Sequence, residues 1–334
     1  MTEVGRSALR TSILKIYEEI RPDLLRVEEH LNGHLRSDHS YLDGMQKHLI
    51  RFAGKRIRPA LLLFAARATG GVREEHIVMG SVVEMLHNAT LVHDDVLDEA
   101  LVRRNYPTIN RVWDNEQAII FGDYIFAKTF RLAAELKNVE VFRILTETAY
   151  RICTGELLQL SRKYDAGMDE KDYYELIDLK TASLFEASCR LGCQGNDVVP
   201  EVQEALASYG RNLGIAFQVV DDWLDITGEE NVMGKSLGTD ITKGKITLPV
   251  IRLVKTLPPG QVEELRRLIG SPDRADEIRR RVGELVRQDG VLAYCSGRAR
   301  EYVSRAKSAL EPVGAGAYRD ALEQIADFVL DRQS

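Results

Sequence analysis

The 334-residue chain is poor in the features that mark secreted, membrane-spanning or nucleic-acid-binding proteins. Its four cysteines, Cys153, Cys189, Cys193 and Cys295, form no CxxC pair and have no histidine at zinc-ligand spacing. Cys189 and Cys193 share a helix face and are expected as buried free thiols, which suits a reducing cytoplasm. No stretch approaches the roughly 18 apolar residues needed to cross a bilayer. The opening residues, MTEVGRSALRTSILKIYEEI, have neither an uninterrupted apolar core nor a small-residue cleavage site, which argues against a signal peptide. A net charge of −6 leaves no basic footprint for nucleic acid. Alternating strand patterns with Asn-Gly turns are nearly missing, and several of the nine prolines sit at helix starts or in loops.

What is abundant is apolar spacing at three and four residues, as in LRTSILKIYEEI, VVEMLHNATLV and RILTETAYRICTGELLQL. It predicts an all-α fold with helices near 7–31, 41–53, 59–69, 75–98, 115–136, 139–160, 171–191, 201–225, 248–256, 261–269, 273–288 and 291–331. The last is expected to break around Val313–Gly316, and Gly70 and Gly71 to end the third. Several helices are apolar on more than one side, so a thick bundle with buried central helices is expected, as one domain over 1–334. The longest loop candidate, 226–247, is rich in Gly and Lys, and loops of that length in a compact domain are commonly functional.

Two segments, LVHDDVLD (91–98) and VVDDWLD (219–225), place Asp-Asp-x-x-Asp at the end of an apolar run. On a helix, residues four apart differ by about 40° in direction and about 6 Å in height. Asp94 and Asp98 therefore share a face with Asp95 to one side, and Asp221, Asp225 and Asp222 repeat the arrangement. Three carboxylates on one stripe repel one another unless a cation sits among them. An all-oxygen set selects a hard ion, and Mg²⁺ is held by a few carboxylates completed by water and substrate phosphates. Two facing stripes would hold several Mg²⁺ ions and one polyphosphate between them. The EF-hand pattern is not met, and GEENVMGKS (228–236) has the wrong glycine spacing for a P-loop.

A diphosphate also needs cations from the protein. AGKRIRPA (53–60) presents Lys55, Arg56 and Arg58 ahead of a helix start, where free amides favour anions. LVRRNYPT (101–108) carries Arg103 and Arg104, whose side chains diverge and can serve two anions. Farther along stand Lys180, Thr181, Gln218, Lys235 and Lys245.

GKRIRP, LVHDDVLDEALVRRNYPT, GELLQL, LKTASLF, FQVVDDWLD and GKSLGTDITKGKITLP occur in the order seen in trans-isoprenyl diphosphate synthases. The chain resembles that family, and most of all its long-chain polyprenyl branch, such as heptaprenyl and octaprenyl diphosphate synthases. The match runs from about residue 50 to 250. The resemblance implies an isoprenoid-synthase-type bundle with the two Asp motifs facing across a central cavity, and a homodimer. It implies that Lys55, Arg58, His87 and Arg104 bind isopentenyl diphosphate. Arg103, Lys180, Thr181, Gln218, Lys235 and Lys245 would bind the allylic diphosphate. Asp94, Asp98 and Asp221 would be the principal Mg²⁺ ligands, supported by Asp95, Asp222 and Asp225; with Lys180 and Lys235 these acids form the expected catalytic set. Two departures stand out: Ala53 where the family has a second glycine, and Asn105 where it has glycine after the arginine pair. Asn tolerates left-handed backbone, so the turn survives that change.

The chemistry implied is loss of diphosphate from the allylic substrate, attack on the cation by the isopentenyl double bond, and loss of a proton, with loop 226–247 as a lid against water. Thr90 lies one turn below Asp94, with Ala89 beside it and Leu86 a turn deeper. In short-chain relatives bulky aromatics near positions 89 and 90 close the tunnel; Ala and Thr leave it open, which predicts a product longer than farnesyl or geranylgeranyl diphosphate. A terpene cyclase would replace the second Asp cluster, and a squalene-type enzyme would lack GKRIRP. A non-catalytic subunit would lose one cluster, although some long-chain members need a small partner subunit. The expectation is a cytoplasmic enzyme, loosely membrane-associated through its product, that serves quinone side chains.

Overall fold

The computed structural model describes residues 13–52, 54–227, 238–288 and 290–331. A 3-10 turn, Tyr17–Ile20, leads into α1 (Arg21–Leu35), followed by α2 (Ser40–Ile50), α3 (Ile57–Thr69) and α4 (Glu74–Leu97). A two-stranded antiparallel hairpin, β1 (Val102–Arg103) and β2 (Tyr106–Pro107), comes next. Then follow α5 (Asn115–Glu135), α6 (Val139–Ser161) and α7 (Glu170–Ile177), which runs through a π-helical turn, Asp178–Ala182, into α8 (Ser183–Gly192). The remaining helices are α9 (Pro200–Thr227), α10 (Leu248–Thr256), α11 (Pro259–Ile269), α12 (Ala275–Gln288), α13 (Val291–Ala309) and α14 (Ala317–Asp331). Single helical turns stand at Ile109–Val112 and Thr239–Thr242.

Local chemistry explains many of these boundaries. Asp114 caps α5 by accepting the Gln117 N–H at 2.8 Å, and Asn138 caps α6 through the Glu140 and Val141 amides. Gly70, at φ 145°, ends α3 where the two glycines predicted it. The long helix expected near 7–31 is instead interrupted after Ile20, because Pro22 in the first turn of α1 has no N–H to carry a ladder backward. The helix expected over 171–191 is continuous but contains the π turn. The hairpin is a further correction, since strands of two residues leave no alternation to read. Its turn residues Arg104 and Asn105 both have positive φ, 52° and 69°, as a tight two-residue hairpin requires. The break around Val313–Gly316 falls between α13 and α14 as expected.

The buried residues form one continuous apolar core. Its centre includes α3, where Ala60 to Ala66 are all fully buried, α4, with Val82, Val83, Met85, Leu86 and Ala89 likewise, and α9. Truncating such a leucine costs about 2–5 kcal/mol. The two helices that end in Asp clusters are thus anchored in the core along much of their length. Among the described residues no helix is long and apolar enough to cross a membrane. Cys189 and Cys193 are free and buried.

Candidate active site

The first Asp cluster closes the C-terminus of α4, where the Asp98 N–H reaches the Asp94 carbonyl at 2.8 Å. The Asp94 and Asp98 side chains remain partly open, at 23% and 21% exposure. Asp95 is buried and accepts a hydrogen bond of 2.8 Å from Arg103 Nε, with Arg103 Nη2 in ion-pair contact at 2.8 Å. Burial pushes the Asp95 carboxyl up to about 6 despite that partner. For Asp98 burial also acts upward, but Lys245 at 2.6 Å, with Lys180 and Lys243 beyond, outweighs it and holds the carboxyl below its ordinary range.

At the second cluster Asp221 is half-buried and the other two acids are sunk into the protein. Asp222 accepts from the Tyr173 hydroxyl at 2.6 Å and from Gln218 Nε2 at 2.7 Å. Burial, with Asp240 and Asp221 nearby, pushes its carboxyl up to about 8. Asp225 does not share the open face of Asp221 that helical spacing gave it. The Thr239–Thr242 turn folds back over the end of α9, and Asp225 accepts from the Thr239 hydroxyl and the Asp240 N–H, both at 3.1 Å. Its carbonyl takes the Gly238 N–H at 2.7 Å.

Two chains of contacts bring the clusters opposite one another. In one, Lys245 reaches Asp98 at 2.6 Å and Asp240 at 3.7 Å, and the Asp240 amide is bonded to Asp225. In the other, Lys180 lies 3.5 Å from Asp94 and donates to Gln159 at 2.8 Å, while its neighbour Thr181 donates to Gln218, which donates to Asp222. Lys180 also pairs with Glu156. Burial would lower both lysines, but Asp94 and Glu156 around Lys180, and Asp240 and Asp98 around Lys245, hold their ammonium groups above the ordinary value. Both remain charged at any pH of interest.

The π turn that carries Lys180 and Thr181 is wedged between α6 and α9 at two glycines. A Cβ on Gly155 would stand 2.7 Å from the Lys180 backbone nitrogen, and one on Gly214 would stand 2.6 Å from the Ala182 Cα. Only a residue without a side chain permits either approach.

The basic residues divide by partner. Arg56, at φ 51°, is buried against Glu84 and Glu28 and is committed to the fold. Arg58 donates to His87 Nε2 at 3.1 Å, which requires a neutral imidazole. Burial, followed by the Arg58, Arg104 and Arg103 charges, keeps His87 well below its usual value and therefore neutral. Burial lowers Arg58 itself to about 10, still charged, and its Nε is buried with no acceptor among the described residues. Arg104 donates to the Phe52 carbonyl, so the two adjacent arginines do diverge. Lys55 extends over the Phe328 ring of α14, 4.8 Å from its centroid. Lys235 and residues 228–237 of the expected lid lie outside the described residues, as does Ala53. Leu86 and Ala89 are fully buried, and Thr90 is half-buried with its hydroxyl turned back to the His87 carbonyl at 2.8 Å.

Sequence reasoning assigned no part to Tyr173, Asp240, Glu156 or Gln159. The last two stand in the GELLQL stretch at positions four and one residues short of Leu160, and their polarity beside three leucines was the available signal. Among the described residues no three acidic, histidine or cysteine side chains gather into a complete metal cage. Hard carboxylate oxygens on two facing helix ends suit Mg²⁺ that keeps water and substrate phosphate in its coordination shell.

The family profile described as polyprenyl synthetase matches residues 39–286. The chain is 34% identical to the all-trans-nonaprenyl-diphosphate synthase (geranyl-diphosphate specific) of Rhodobacter capsulatus, over 95% of this chain and 97% of that protein. It is 36% identical to heptaprenyl diphosphate synthase component 2 of Geobacillus stearothermophilus, over 79% and 86%. Its fold is similar to that of a polyprenyl synthase from Caulobacter crescentus complexed with calcium and isoprenyl diphosphate, with a TM-score of 0.92 at 34% identity over 96% of this chain and 98% of that one.

Proposed function

The chain belongs to the polyprenyl synthetase family of trans-prenyltransferases, and on that premise we propose that it condenses isopentenyl diphosphate with an allylic diphosphate, cycle after cycle, into a long-chain all-trans polyprenyl diphosphate. The observation that carries this is the pair of opposed acid clusters, the first of which already holds two lysines, Lys180 at Asp94 and Lys245 at Asp98. The open acids of the first cluster are thus each paired with a lysine, and would be released from it on entry of a metal–diphosphate. The lysines can then turn to the phosphate oxygens and free the carboxylates.

Asp94, Asp98 and Asp221 are the ligands proposed for Mg²⁺, which when bound would neutralise the departing diphosphate. Asp95, Asp222 and Asp225 support them from behind through Arg103, Tyr173 with Gln218, and the Thr239–Thr242 turn. Lys180, Thr181, Gln218, Lys235, Lys245 and Arg103 bind the allylic diphosphate. Lys55, Arg58, His87 and Arg104 hold isopentenyl diphosphate; the orphaned Nε of Arg58 suits an anion arriving there. His87, kept neutral, orients Arg58 and takes up no proton. The acids and bases around the reacting carbons are tied into one network, so the groups facing the developing charge need little reorganisation.

We place the enzyme in the cytoplasm as a homodimer of single-domain chains over 1–334, with membrane contact through its product and quinone side chains as the destination. The direct test is incubation of the purified chain with Mg²⁺, farnesyl diphosphate and labelled isopentenyl diphosphate, with chromatography of the product. A long-chain product is expected; Asp94→Ala and Asp221→Ala should each lose turnover with helical circular dichroism unchanged, as should chelation by EDTA. No label in product from the wild type would favour a catalytic subunit that needs a small partner. A C15 or C20 product would make it a shorter-chain synthase.

A further inference from the structure

Lys180 and Thr181 stand on the one π-helical turn of the described residues, and nothing in the apolar pattern calls for it. A π turn widens the ladder to i→i−5, and such turns are commonly found at functional sites. Here the Ser183 N–H bonds the Asp178 carbonyl, five residues back. The Leu179 carbonyl, which an α-helix would pair with that same amide, takes the Ser183 hydroxyl at 2.6 Å instead. The Ser183 hydroxyl thus satisfies a carbonyl that the widened turn leaves without its α-helical partner.

The turn is also gripped from outside. The Asp178 carboxylate accepts from Arg211 through Nε at 2.5 Å and Nη2 at 3.0 Å, and from Arg151 Nη2 at 3.2 Å. Arg151 reaches on to Glu186 at 3.0 Å, in the first turn of α8. Arg151 lies on α6 and Arg211 on α9, the two helices between which the turn is wedged. Each stands on the same helix face as the glycine that lets the turn approach, Arg151 four residues before Gly155 and Arg211 three before Gly214. The glycines set how close the turn can come, and the arginines fix its first residue at that depth.

We propose that Asp178 is a positioning residue for the reaction: clamped by Arg151 and Arg211, it holds the π turn in the register that aims Lys180 and Thr181 at the allylic diphosphate. This rests on the prenyltransferase reading of the site above. Asp178 touches no substrate and acts only through Lys180 and Thr181. Of the two arms the Arg211 one reaches Asp178 from an arginine that is 54% exposed, and pairs to so exposed a group contribute little to folding.

The experiment is steady-state kinetics of Asp178→Asn, Asp178→Glu, Arg211→Ala and Lys180→Ala on the full chain, each substrate varied in turn, beside thermal unfolding. Misplacement of the turn by about 1 Å should lower kcat/KM for the allylic diphosphate about 10–100-fold in Asp178→Asn, with KM for isopentenyl diphosphate within about twofold of wild type. Asp178→Glu should recover part of the loss. In the Lys180→Ala background Asp178→Asn should have little further effect, because the two act in series. Arg211→Ala, on an exposed arginine, keeps the test open if Asp178→Asn fails to fold. Wild-type kinetics in Asp178→Asn and Arg211→Ala overturn the proposal, as does a loss that is equal for both substrates or additive with Lys180→Ala. If instead the wild type condenses nothing, or Lys180→Ala is as active as wild type, the reading of the site fails and the inference falls with it.

Discussion

Ala89 is fully buried on the first acid helix, five residues before Asp94, and Thr90 stands directly below that carboxylate. The Thr90 hydroxyl is spent on the His87 carbonyl, so toward its surroundings the residue offers a methyl group. Neither side chain has the bulk to stop an isoprenoid tail growing down the helix, whereas a phenyl ring at either position would. Ala89→Phe or Thr90→Phe should therefore shorten the product by several isoprene units without abolishing condensation, as read by reversed-phase chromatography. Unchanged length in both variants would remove these residues from the control of product size. At this scale the sequence was legible where a side chain's placement follows from its charge and spacing. The open acids, the diverging arginines and the left-handed Asn105 stand as their types and spacing required. It was less legible where a role depends on what packs behind. Helical spacing put Asp225 beside Asp221, but a turn more than ten residues later in the chain claims its carboxylate. Spacing within one helix carries no information about that turn.

The helices themselves were largely readable because each needs an apolar face, and apolar faces leave a period. The π turn left none. It inserts one extra residue's worth of rotation without changing which residues are apolar, so 171–191 read as an unbroken helix. Its traces in sequence are indirect, in Gly155 and Gly214 on two other helices, each within a stretch where alanine would favour the helix. The energies can be compared. Replacing an interior glycine by alanine gains about 1 kcal/mol of intrinsic helix propensity. Overpacking a tight contact costs about 1–3 kcal/mol. At Gly214 the new Cβ would meet backbone, the Ala182 Cα at 2.6 Å, and backbone cannot swing aside as a side chain tip would. Gly214→Ala should accordingly destabilise the protein by about 1–2 kcal/mol in urea unfolding despite the better propensity. It should also depress kcat/KM for the allylic substrate, since relief requires Lys180 and Thr181 to move. A stabilised variant of normal activity would show that the turn has slack.

Across the whole molecule the exposed apolar residues are unevenly placed. Ile119 and Ile120 project from α5, at 43% and 66% exposure, and Phe142, Tyr150 and Leu157 form a stripe along α6, at 39%, 67% and 68%. From Phe142 to Leu157 the stripe runs roughly 22 Å along α6. Of the polar residues along it, Arg143 is already paired with Glu140, and the Thr146 and Thr154 hydroxyls are each bonded at 2.9 Å to the carbonyl four residues back. Those two hydroxyls leave no unpaired donor to be stripped of water. An apolar face of this length on a monomer is a liability, and a second copy of the chain, related by a two-fold axis, is the occupant the homodimer reading supplies. The same helix points the other way at the chemistry, since Glu156 and Gln159 on α6 hold Lys180. Pairing of two α6 helices would therefore stiffen the wall against which the π turn rests. Tyr150→Glu with Leu157→Glu should convert a dimer into a monomer in sedimentation velocity, and should lower turnover more than it lowers the affinity for either diphosphate. If the double variant stays dimeric, the two-fold axis lies elsewhere. If the wild type is itself monomeric and inactive alone, the stripe is the docking face for a different subunit, and activity should return only when that subunit covers it.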